Sequence, residues 1–207
     1  MKGFFALFSN SAKELKSMRC ITITGMFIAV SMILEAYTIP LPFAKVNFAF
    51  IAIAIIGMLF GPTVGFFAAM VCDIVGYIAF PQGGFMPVYT AIASLQGLIY
   101  GLVLYNKRDS YKILISRKKD NKVTDITLLL RIIVARLLDV IIINIFINTW
   151  ANLHYGFISS ESYSAAIMLR IPKNVIELIV DFPLLFILLP VTLTAYKRVF
   201  GKSVVTV

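Results

Sequence analysis

Charge is scarce in this sequence. Asp, Glu, Lys and Arg make up 14% of its 207 residues, against 60% hydrophobic, and mean hydropathy is +0.92. A soluble domain carries about 25% charged and about 45–50% apolar residues, so a water-soluble globule is excluded. Cysteine is nearly missing as well. Cys20 and Cys72 stand far apart, without metal-ligand spacing or a disulfide framework, and read as packing residues. His154 is the single histidine, the acids Asp73, Asp139 and Asp181 are scattered, and neither HExxH nor DDxxD occurs. These gaps speak against an intramembrane lipid transferase or protease, and no metal or cofactor is called for. A G-x-x-x-x-G-K-[ST] phosphate loop is missing too, so any ATP use belongs to partners. The first 19 residues do not have the layout of a cleavable signal and read as an interfacial amphipathic lead-in.

Long apolar runs take the place of all this. They are continuous rather than alternating, which points to helices and not a barrel. Six spans are expected, at 20–37, 46–60, 66–80, 85–105, 126–155 and 164–196. Together they make an all-α bundle in one integral membrane domain, 1–207. Pro40 and Pro42 stop the first span, and 61–65 reads as a tight turn. Two small-xxx-small pairs, Gly25/Ala29 and Gly97/Gly101, allow close helix approach, either inside the bundle or to a partner. The net charge of +9 does not indicate nucleic acid, because the basic residues sit beside the spans. The lead-in, the polar 106–125 loop and the C-terminal end hold 14 of the 19 Lys and Arg residues, whereas the opposite side has only Lys45 in its loops. Both termini and the 106–125 loop are therefore expected in the cytoplasm.

The polar residues inside the spans are the informative ones, since a charge at the bilayer centre costs roughly 2.5–3.5 kcal/mol on insertion scales. Arg170, Lys173, Asn174, Glu177 and Asp181 fall on one stripe of the last span. Depth counting puts Arg136 and Asp139 level with Glu177 and Asp181, so Arg136 is expected to pair with Asp181 or Glu177 and with Asp139. Arg170 and Lys173 lie further out, level with Asn144, Asn148 and Trp150, with no acid expected at their depth on either helix. Asp73 or Glu35 can neutralise them, or an anionic ligand from outside can. Glu35 is placed at the outer end of its span, within reach of water. Tyr37, Tyr77, Tyr89, Trp150 and Tyr155 cluster towards that same face; Tyr37 and Tyr155 suit an interfacial belt, and Trp150 suits ring stacking.

The order Gly61-Pro62, Gly65, Asp73-Ile-Val-Gly-Tyr77, Pro81, Gly84-Phe-Met-Pro87 and Gly97-Leu-Ile-Tyr-Gly101 resembles the substrate-binding S components of energy-coupling-factor vitamin transporters. Asn148-Thr-Trp150, Tyr155-Gly156 and Arg170-Ile-Pro-Lys-Asn174 are similar to the folate-specific branch. The resemblance covers about residues 20–197. It implies a six-helix vitamin receptor in the cell membrane that docks on a shared membrane T subunit driven by two cytoplasmic ATPases. Gly25 and Ala29 fall where the family's Ala-x-x-x-Ala docking pair lies, and Val88 and Tyr89 depart from its Pro-Gly-Phe-Thr pattern. For folate the resemblance implies Asp73, Asn144 or Asn148 at the pterin edge, with Asn174 nearby. It implies Trp150 and Tyr89 for ring packing, and Arg170 and Lys173 for carboxylates or a ring oxygen. The alternatives are another cargo, such as pantothenate or a queuosine precursor, and a scaffold that uses only its small-residue faces.

Overall fold

A helix that is apolar on every side must be surrounded by protein or lipid. Helix α3 (Ala49–Phe60) is that helix here: Phe50 through Met58, and Phe60, are all buried. The computed structural model describes residues 2–36, 39–41, 44–81, 84–105, 126–157 and 162–200. Within them α1 (Lys2–Glu14), α2 (Met18–Ala36), α4 (Pro62–Ala79), α5 (Pro87–Leu104), α6 (Ile126–Leu138), α7 (Asn148–His154) and α8 (Tyr163–Phe200) pack around α3 or beside it. A π-helical segment, Asp139–Ile147, joins α6 to α7 without a break. Four of the described helices, α2, α4, α5 and α8, are long and apolar enough to cross a membrane. The architecture is a helical membrane bundle.

Several local features depart from the sequence reading. Val46 is not helical: 44–46 pairs antiparallel with 39–41 in a short hairpin, with Ile39 opposite Val46. The stretch 61–65 is not a turn of five residues. Gly61 alone makes the connection at φ +91°, and Pro62 already occupies the first turn of α4, where its missing N–H costs nothing. The last helix does match the continuous 164–196 expected, running through Pro172, Pro183 and Pro190 without ending. The basic 106–125 loop, Tyr37, Pro42 and Lys202 lie outside the described residues.

The lead-in does more than lie on an interface. Ser11 is fully buried. Its hydroxyl donates to the Phe60 carbonyl at 2.7 Å and accepts from the Thr63 and Val64 amides at 3.0 and 3.1 Å. A side chain from α1 thus serves the carbonyl at the end of α3 and two amides at the start of α4, groups a helix leaves unpaired. Just beyond, glycines let three helices touch backbone to backbone. A Cβ on Gly97 would run into the Gly65 carbonyl, one on Gly101 would meet Pro62, and one on Gly57 would lie 2.8 Å from the Gly101 amide nitrogen. The Gly97/Gly101 pair is internal packing. Gly25 is the opposite case, because nothing lies within 4 Å of where its Cβ would be, and Ala29 is exposed on the same side of α2.

One ionic cluster crosses the interior. Arg136 forms ion pairs with both Asp139 and Asp181, all three buried. Its Nη1 also donates to Tyr100 Oη at 3.0 Å, and its guanidinium lies 4.2 Å from the Phe50 ring centroid. Asp139 Oδ2 further accepts from Gln96 Nε2 at 3.0 Å and Tyr100 Oη at 3.1 Å. Of the two acids expected for Arg136 on the last helix, the structure selects Asp181.

Two outcomes follow, both read as the thermal-unfolding midpoint of purified protein in detergent. Gly97→Leu is expected to destabilise by about 1–3 kcal/mol through overpacking, whereas Gly25→Ala stays within about 0.5 kcal/mol. Arg136→Met strands two buried acids and is expected to cost about 3–5 kcal/mol. Adding Asp139→Asn and Asp181→Asn to it is expected to recover most of that loss.

Candidate ligand-binding site

Among the described residues, two adjoining hollows lie between the helices. The inner one, about 290 Å³, is walled by α2, α3, α4, α5, the π segment and α8. Its polar lining includes Glu35, Asn47, Asp73, Gln96 and Asn144 on one part, and Lys173, Glu177 and Asp181 of α8 on another, with Arg136 of the ionic cluster also on its wall. Cys72, a buried free thiol, is also in the wall and contacts the Ser31 hydroxyl. The second hollow, about 340 Å³, is lined by aromatic and small groups, among them Tyr77, Phe80, Phe85, Tyr89 and Phe157. Glu35 and Asp73 line both hollows, so the two share one boundary. Their volumes together fall in the roughly 300–1,000 Å³ range of small-molecule sites.

Local folding explains how the polar groups are aimed. Residues three and four apart share a helix face, and Lys173, Glu177 and Asp181 follow that spacing along α8. The π segment, a form that recurs at functional sites, carries Asn144. Arg170 Nη1 donates to the Asn144 carbonyl and to Thr149 Oγ1, both at 3.2 Å. Asn148 Nδ2 donates to Asn144 Oδ1, also at 3.2 Å. Asn174 is buried, and its Nδ2 donates to the Arg170 carbonyl at 2.9 Å. Asp73 Oδ2 accepts from Thr90 Oγ1 at 2.6 Å. Tyr89 Oη donates to Asn152 Oδ1 at 2.9 Å, and its ring lies tilted against Phe157 with centroids 6.4 Å apart.

Of the residues singled out from sequence, Asp73, Asn144 and Lys173 line the inner hollow, and Asp73 and Tyr89 line the aromatic one. Asn148, Arg170 and Asn174 stand behind Asn144 and line neither. Trp150 is not brought to either hollow: it is 53% exposed and stacks on His154 at a centroid distance of 5.4 Å. The expectation that Lys173 has no acid at its level is corrected, because its Nζ lies 3.3 Å from Glu177 Oε1 one turn along α8. Sequence reasoning missed Gln96 and the role of Glu35. Gln96 was detectable as a lone amide in an apolar span. Glu35 was not, since its place depends on α4.

Among the described residues, charge in the inner hollow is lopsided. Acids on its wall are Glu35, Asp73, Glu177 and Asp181, against Lys173 and Arg136, and both cations already have acid partners. The wall is rich in acceptors and suits a guest that brings N–H donors.

Residues 19–189 match the family described as "ECF transporter, substrate-specific component". Two relatives carry the name folate transporter FolT. The protein from Clostridium novyi (strain NT) is 36% identical over 75 residues, 36% of this chain and 44% of that one. The protein from Streptococcus mutans serotype c is 31% identical over 109 residues, 52% of this chain and 56% of that one. The matches span about half the length of these curated relatives. A crystal structure of FolT bound with folic acid superposes with a TM-score of 0.58 at 28% identity, covering 84% of this chain and 91% of that one. Members of this family are substrate-binding parts of transporters rather than enzymes. With its apolar helices and a family match across most of its length, the chain is a multi-pass cell-membrane protein and belongs to the substrate-specific components of the ECF transporters.

Proposed function

We propose that this protein binds folate from outside the cell and hands it to a shared T subunit driven by two ATPases. In this reading the chain is one membrane domain of six spans, α2, α3, α4, α5, the run from α6 to α7, and α8, with both termini in the cytoplasm. The observation that carries the proposal is the pair of hollows: one polar and acceptor-rich, one aromatic, meeting at Glu35 and Asp73. The FolT relatives and the folic-acid-bound neighbour support the choice of cargo.

Charge sets the direction in which folate enters. Its glutamate tail is a dianion, and the inner wall has more acids than cations, so the tail stays towards the mouth. The pterin is neutral, planar and edged with N–H groups, so it goes inward. Asp73 and Asn144 then face its edge, and Lys173 meets the ring oxygen as donor. The aminobenzoyl ring passes among Tyr89, Phe85 and Phe157. Arg170, Asn148 and Asn174 act through Asn144, and Trp150 stands outside the contact set. Gly25 and Ala29, open on α2, form the docking face for the T subunit, where small residues let another helix approach.

Titration of the purified protein with folic acid, pantothenate and a queuosine precursor tests the cargo. Saturable binding of folic acid alone is expected, and binding of one of the others instead would sink the assignment. Lys173→Ala is expected to weaken folic acid by about tenfold or more, the scale of one hydrogen bond involving a charged group, and Asn144→Ala by about threefold or more, the scale of a neutral one. Gly25→Leu is expected to leave folic acid binding unchanged while abolishing uptake in cells that also make the T subunit and ATPases. Unchanged uptake would remove Gly25 from the docking face.

A further inference from the structure

Glu35 sits in the last turn of α2 and lines both hollows. What puts it there is a missing side chain on a neighbouring helix. A Cβ at Gly76 of α4 would lie 2.8 Å from Glu35 Oε2, and its next two contacts would also be atoms of the Glu35 carboxylate. The glycine leaves the space the carboxylate fills. One turn before Glu35, Ser31 contacts Cys72, so α2 and α4 are in contact there too. Asp73 lies one turn before Gly76 on α4, and one of its oxygens is held by Thr90.

We infer that Glu35 is a specificity-determining residue for the ligand's ring, and that Gly76 is the residue that positions it. The inference rests on the folate reading above. The pterin presents its 2-amino group and ring N–H side by side, and a carboxylate accepts such neighbouring donors at short range. One Asp73 oxygen already accepts from Thr90, so a pair of ring donors placed on Asp73 alone would have to share that oxygen. Glu35, arriving from the other side of the same boundary, supplies the rest.

The test uses full-length protein in detergent, titrated with folic acid and with 2-desamino-2-methylfolic acid, which keeps the ring but has no 2-amino group. Glu35→Gln and Gly76→Ala are each expected to weaken folic acid by about tenfold or more, the scale of one charge-assisted hydrogen bond. For the desamino compound both losses shrink to about threefold or less, because the donor they act on is gone. Gly76→Ala keeps the test sound should Glu35→Gln fold poorly, since its methyl meets only the tip of a flexible side chain; its unfolding midpoint is expected to match wild type. If wild type binds folic acid and both variants bind it within about threefold of wild type, the role of Glu35 is overturned while the folate reading stands. Equal weakening for both compounds overturns it too, because Glu35 then acts through the fold and not on the amino group. A wild-type protein that binds no folic acid overturns the folate reading, and this inference with it.

Discussion

Lipid offers no hydrogen-bond partner to a buried charge, so the protein must provide its own. Arg136 shows what that requires. Its guanidinium is held by Asp139 from its own helical run, by Asp181 from α8 and by the Tyr100 hydroxyl from α5, with the Phe50 ring of α3 beside it. Four elements are tied at one point. The neighbouring wall of the inner hollow follows from that tie, since Gln96 reaches Asp139 and Asp181 faces the empty space. Replacing the cluster with apolar side chains would suit stability at least as well on energetic grounds. Its retention beside a hollow fits a role in fixing the shape of the wall.

The hollow itself depends on backbone contact elsewhere. Gly57, Gly65, Gly97 and Gly101 let α3, α4 and α5 close against each other, and Ser11 pins the lead-in helix at that same end. The polar side chains Asp73, Asn144 and Lys173 line the inner hollow. Each has a partner: Thr90 on Asp73, Asn148 on Asn144, Glu177 on Lys173, with Arg170 on the Asn144 backbone carbonyl. Groups fixed in this way lose little freedom when a ligand arrives.

Much of this was legible in the sequence, and for physical reasons. The long apolar helices α2, α4, α5 and α8 show because a membrane-crossing helix must be apolar. The tie between Arg136, Asp139 and Asp181 shows because buried opposite charges at equal depth have to meet. The Lys173–Glu177 pair has the i,i+4 spacing of a helix, yet depth counting assigned Glu177 elsewhere. Trp150 was grouped with Asn148 by adjacency, although two positions along a helix lead to the opposite side, and its indole stacks instead on His154, four residues on. The π segment had no visible signature, and it changes which faces follow residue 139. Glu35 was hidden for another reason. Its place is decided by a glycine 41 positions later, a contact that no local pattern encodes.

The two small-xxx-small pairs look alike in sequence and end up with opposite fates, and the difference lies in what surrounds them. Gly97 and Gly101 face Gly65 and Pro62 across a helix crossing. Gly25 and Ala29 face away from the bundle, among the exposed side chains of Ile21, Met26, Val30 and Ile33. On the other side of the same helix, Cys20, Ile23, Phe27, Ile28 and Ser31 pack inward, and Glu35 ends that inward row at the hollows. Helix α2 therefore presents an open small-residue face to the membrane and a carboxylate to the ligand space. A rigid helix carrying both cannot shift at one without shifting at the other. If the proposed function holds, α2 is the element through which occupancy of the hollow and docking of the T subunit bias each other, in both directions alike, as linkage requires.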